Sequence, residues 1–351
     1  MKRTVFHLLA GILLLGLFAA EGGAAKLKVV TTLPDYATFA RAIGGDRVSV
    51  SSIVRGDQDA HFIRPKPSFA QMVRQADVLI DTGLDLETWL PTVVDTSGNR
   101  KVRSGQPGYV SASHSMPLLE KPAQLSRSEG GLHIYGNPHV TASPVMMRIA
   151  AKNIAAGLGK ADPQGKQTYQ QNLQKLLDRL DRELYGAQLV EIVGGSTLGS
   201  LAHQGKLVPF LKSKTYKGKP MIGLLGGWTK QMLPLYGTEI VTYHKNWVYF
   251  CRLFGLKEAG TVEPKPGIPP SAKHVADLIK QMRAEKIRIL LAANYFPRKE
   301  VQGVADKVNA EAVIVPLYVG GADNTGDYFE LVDHWVNSLV KAARRAGVIK
   351  S

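Results

Sequence analysis

Three of the nine histidines in this 351-residue chain stand where the surrounding pattern places ligand-binding loops. His61 lies in the polar, proline-punctuated stretch 55–67, which leaves a predicted strand at 48–54. His244 directly follows a predicted strand at 240–243. His139 comes after Asn137-Pro138, and the proline restricts the chain so that it can hold the imidazole against a helix start. Neutral imidazole is the commonest transition-metal ligand and also the usual acid–base group near neutral pH. Taken one at a time, an exposed or hydrogen-bonded ring is the ordinary alternative for each. His334, in mid-helix, fits a surface or packing position instead.

The elements around these residues alternate. An apolar run at 27–31 suits a buried strand, and Pro34 opens a helix whose Phe39, Ala40 and Ile43 share a face before Gly44-Gly45. After the strand at 48–54, Ser68 is expected to cap a helix carrying Phe69, Met72 and Val73, and a strand at 78–80 follows. Two strand–helix–strand steps in so short a span argue for a parallel, doubly wound sheet. Residues 95–138, rich in Gly, Ser and Pro, are expected to be mostly loop. The segment 163–189 carries Leu173, Leu176, Leu177, Leu180 and Leu184 on one stripe, which predicts a helix about 40 Å long. Alternation then resumes with a helix at 247–254, a helix capped by Ser271, a strand at 287–292, a helix near 298–308, a strand at 312–317 and a closing helix at 328–346. The fold class is therefore α/β, two doubly wound lobes joined by one long helix. Boundaries fall at 1–25, 26–160, 161–189 and 190–351. In such sheets the loops at the carboxyl ends of strands converge on the ligand crevice, where His61 and His244 fall.

Composition narrows the class. The chain carries 44 Lys+Arg against 29 Asp+Glu, a formal charge of +15, with 44% hydrophobic residues, as in a folded globular protein. Lys2 and Arg3, an uncharged run from Leu8 to Ala20 and small residues up to Ala25 predict a cleavable export signal over 1–25, too short in its apolar part to span a bilayer. Export leaves a charge of +14 and removes nucleic acid from contention as a partner. Cys251 is the only cysteine, so there is no intramolecular disulfide and no cysteine-rich zinc cluster. Its apolar setting predicts a buried, inert thiol. Gly194-Gly195-Ser196-Thr197-Leu198-Gly199 lacks the Lys-Ser/Thr pair of a phosphate loop and is expected to be a turn. Trp89, Trp228, Trp247 and Trp335 suit packing.

The surroundings of the three histidines resemble one family, the cluster A-I zinc and manganese solute-binding proteins of ABC importers. Asp59-Ala60-His61, Pro65-Lys66-Pro67-Ser68 and Gly83-Leu84-Asp85-Leu86-Glu87 resemble its first-ligand region. Gly136-Asn137-Pro138-His139 resembles the second, and Thr242-Tyr243-His244 the third. Glu263-Pro264-Lys265-Pro266-Gly267 is similar to its proline-rich approach to a late helix. The resemblance implies a metal ion held in the cleft between the lobes, with His61 and His139 from the N-terminal lobe and His244 from the C-terminal lobe. Three neutral imidazoles suit zinc, and manganese, which prefers oxygen, less. It also implies an exported monomer, periplasmic or extracellular, that delivers the ion to a membrane permease driven by a cytoplasmic ATPase. Release follows when docking draws His244 away from the other two.

The chain departs from the family in three places. Many members set an aspartate before Pro-Leu where this chain has Val315, which leaves water, Asp323 or Asp59 as candidate fourth ligand. A histidine-rich acidic loop is missing, with only His114 and His133 in that region. Residues 194–237 resemble an insertion suited to covering the cleft or docking a partner. Two rival functions remain on the residues alone. A zinc hydrolase needs a general base beside bound water, and no His-Glu-x-x-His pattern supplies one. An adhesin on the same scaffold would bind protein without metal.

Overall fold

The computed structural model describes residues 25–122, 133–265 and 267–350, so the expected export signal lies outside the described residues but for Ala25. The chain opens with β1 (Leu27–Thr31), α1 (Pro34–Gly44), β2 (Val48–Ser52), α2 (Pro67–Arg74), β3 (Val78–Asp81), α3 (Leu90–Ser97) and β4 (Tyr109–Ser111). All four strands are parallel, in the order β2-β1-β3-β4. The middle of the chain is helical: α4 (Pro144–Ala161), α5 (Lys166–Tyr185), α6 (Ala187–Val193), α7 (Gly195–His203) and α8 (Leu207–Ser213). A short hairpin, β5 (Thr215–Tyr216) and β6 (Lys219–Pro220), precedes α9 (Gly227–Met232). The last third holds β7 (Glu239–Thr242), α10 (Val248–Phe254), β8 (Lys257–Thr261), α11 (Ala272–Ala284), β9 (Ile289–Ala293), α12 (Arg298–Lys307), β10 (Glu311–Val315) and α13 (Tyr328–Arg345). Its parallel sheet runs β10-β9-β7-β8. Counted from the first strand of each half, both sheets have the same order, although no sequence repeat relates them.

The doubly wound expectation holds in both halves, three local readings are corrected and one helix, α4, was not foreseen. The expected helix 163–189 is shorter, because Gly186 (φ +83°) breaks it. A Cβ there would stand 2.7 Å from Gly226 Cα, so the chain turns at a close backbone crossing. The helix α4 carried no readable stripe because Val145, Met146, Met147, Ala150, Ile154 and Leu158 bury it nearly all round. Pro67, not Ser68, begins α2, since its missing N–H costs nothing at the first helical position. Finally, 195–203 is a helix instead of a turn. Ser271 does cap α11, its side chain accepting from His274 N–H.

One hydrophobic core runs from the first sheet through α4, α5 and α10 to the inner face of the second sheet and α13. A smaller cluster fills the outer face of the second sheet beneath α11 and α12. The buried Arg148–Asp181 ion pair ties α4 to α5. The segment read as an insertion stacks on α5 and α10, with Trp228 buried and its Nε1–H donating to Asp333 at 2.6 Å.

Candidate metal site at the carboxyl ends of both sheets

The local sequence holds His61 and His139 by one device. Asp59 precedes a short 3-10 turn, and its Oδ1 accepts both the His61 main-chain N–H at 3.0 Å and the ring Nδ1–H at 2.7 Å. Asn137 repeats this two residues before His139, its Oδ1 accepting the main-chain N–H at 3.0 Å and Nδ1–H at 2.9 Å. A carboxylate or amide oxygen two residues upstream thus fixes both the turn and the ring. His244, leaving the central strand β7, is held differently: its Nδ1–H donates to the Glu263 main-chain carbonyl at 3.2 Å. In all three rings Nδ1 is occupied as a donor, so any further bond is made through Nε2, which in His61 already stands 3.2 Å from His133 Nε2.

The structure brings the three expected histidines together. Ring centres lie 5.1 Å apart for His61 and His139, and 5.8 Å apart for His139 and His244. Asn137 also couples the halves, because its amide donates to the Lys245 carbonyl at 2.8 Å, next to His244. Tyr249 O–H donates to the Asn137 carbonyl at 2.7 Å. Trp89 Nε1–H donates to the Ala60 carbonyl at 2.8 Å and so anchors the His61 turn from below.

Burial pushes His139 well below the ordinary imidazole pKa, helped by the neighbouring rings, and brings His244 down to about 4. These two rings are therefore neutral well below the pH 6–7 range that a free imidazole implies. His139 is 2% exposed, and its Nε2 is buried with no hydrogen-bond partner. A lone pair so placed costs free energy unless a ligand takes it. Among the described residues no group of three or more His, Cys, Asp or Glu side chains is spaced to hold a metal ion as it stands.

Of the candidate fourth ligands, Asp59 spends Oδ1 on His61 and its turn. Asp323 is exposed on the loop after β10. Val315, where the family's aspartate was expected, is buried at the end of β10. Sequence reasoning gave no role to His133, whose ring centre lies 5.2 Å from that of His61 and 5.9 Å from that of His139. No periodicity or flanking motif marked it. Cys251 is buried and its thiol pKa is pushed up by burial, as expected of an inert side chain.

Two parallel-sheet halves with imidazoles meeting at their carboxyl ends make a two-lobed α/β architecture. The chain belongs to the family described as zinc-uptake complex component A, periplasmic, whose profile matches residues 29–184 and 225–342. The unmatched stretch between them contains most of the segment read as an insertion. These are transport components, not enzymes. The chain is similar to the zinc-binding lipoprotein AdcA of Streptococcus pneumoniae, at 23% identity over 82% of this chain, and spans only 48% of that protein. It is also similar to the manganese ABC transporter substrate-binding lipoprotein PsaA of the same species, at 29% identity over 84% of this chain and 79% of that one. A crystal structure of ZnuA superposes with a TM-score of 0.66 at 20% identity, covering 90% of this chain and 99% of that one, which shows the fold.

Proposed function

We propose that the protein captures a divalent transition metal, zinc foremost, between its two halves with His61, His139 and His244. It then hands the ion to the permease of an ABC importer powered by a cytoplasmic ATPase. The chain acts outside the cytoplasm, exported by residues 1–25. The observation that carries this reading is the buried, unpartnered Nε2 of His139, set beside two further rings whose Nδ1 atoms are already spent. Such a donor set is nitrogen-rich and suits zinc at about 2.0–2.1 Å per bond. Manganese, which favours oxygen, fits less well. Release follows when docking separates His244 from the other two and breaks the Asn137–Lys245 link.

The test is native mass spectrometry with elemental analysis of the exported protein and of the His61→Ala, His139→Ala and His244→Ala variants. One equivalent of zinc is expected for the parent. The affinity of each variant, read by chelator competition, should fall more than about 100-fold, beyond the usual cost of losing an outer-shell partner. A full equivalent retained at parental affinity by all three variants would overturn the reading.

A further inference from the structure

His133 is the residue that family resemblance does not account for. Its Nε2 stands 3.2 Å from Nε2 of His61. Two nitrogens bound to one tetrahedral zinc at about 2.0–2.1 Å are about 3.3 Å apart, so this pair is already spaced as one edge of such a site. The His133 ring also stands edge-on to His139, 85° between planes, so it faces the two N-terminal rings at once. Neither Asp59, with Oδ1 committed to His61, nor the exposed Asp323 competes for that position.

We propose that His133 supplies the fourth protein ligand, making a four-imidazole site with His61, His139 and His244. This rests on the reading of those three as ligands and adds the source of the fourth bond. With no cation present, the His133 Nε2–H donates to the lone pair of His61. When an ion enters, the His133 proton moves to Nδ1, which frees Nε2 to bind. A site of four nitrogens and no carboxylate discriminates against manganese more than three imidazoles with an aspartate would.

The experiment compares parent, His133→Ala, His133→Gln and His133→Asp, each loaded with zinc and checked for unchanged thermal melting without metal. Zinc-edge X-ray absorption should count four imidazoles in the parent and three in the alanine and glutamine variants. Zinc affinity in those two should fall at least about tenfold, since even outer-shell losses reach that size. His133→Asp should narrow the zinc-to-manganese preference measured by competition. If the alanine variant keeps four imidazoles or parental affinity, the fourth-ligand assignment fails while the three-histidine reading stands. If alanine at His61, His139 and His244 is equally silent, that reading fails as well.

Discussion

The two halves share a strand order but hold their histidines by different means, and the contrast separates what topology provides from what side chains must add. Topology alone delivers loops at the carboxyl ends of strands: His244 leaves the inner strand β7, whereas His61 follows the edge strand β2. The N-terminal half adds an Asx residue two positions before each histidine, so side chains fix His61 and His139. The C-terminal half leaves His244 to a main-chain carbonyl from another loop. Packing differs in parallel. The first sheet lies wholly within the large core, whereas the second has only its inner face there and a small separate cluster outside.

The first test asks whether the shared core depends on its buried charge. Arg148→Ala leaves Asp181 buried and alone, and urea denaturation should show a loss of about 3–5 kcal/mol. A loss below 1 kcal/mol would mean that water reaches the pair.

Next comes the contrast in ligand support. Asp59→Ala and Asn137→Ala each remove a ring-orienting acceptor and should weaken zinc binding about 10- to 100-fold in chelator competition. Glu263→Ala keeps the carbonyl that holds His244 and should cost less than about tenfold. Equal losses at all three positions would erase the distinction between the halves.

Gly56→Ala addresses the seam between the halves. The new methyl would meet the Val319 carbonyl and the Gly321 amide, both main chain, and overpacking of this kind costs about 1–3 kcal/mol. A variant as stable as the parent would show that the seam can yield.

The last test changes a slope more than a midpoint. Asp35, fully buried under the seam, accepts from Val319 N–H at 3.4 Å, and burial raises its carboxyl from the ordinary 3.8 to about 8. Between these values the folded protein keeps a proton that the unfolded chain has released. This contribution therefore destabilises progressively as pH rises from about 4 to about 8, and is level beyond. Asp35→Asn should flatten melting temperature against pH over that window; an unchanged slope would remove Asp35 as its source.

How far these features could be read from sequence depended on the physics behind each. Strands β1, β3 and β9 were legible as apolar runs between turn residues, and α13 as a stripe through Phe329, Val332, Val336 and Leu339. The helix α4 was not, because a segment buried on most sides has no polar face to set its period. Strand β8, Lys-Glu-Ala-Gly-Thr, carries no apolar run and is placed by pairing with β7. At the site, Asp59 and Asn137 were visible as neighbours of the histidines. Their doubled bonds to ring and turn required the fold. His133 reaches His61 across 72 positions, a separation that leaves no local trace.

Where the loop after β2 meets the loop after β10, Gly56 and Gly321 put bare main chain against main chain. The gap between the halves is thus gauged by peptide thickness, which thermal motion of side chains does not alter. Like a shim ground to size, this contact sets the spacing between the loops of the two sheets.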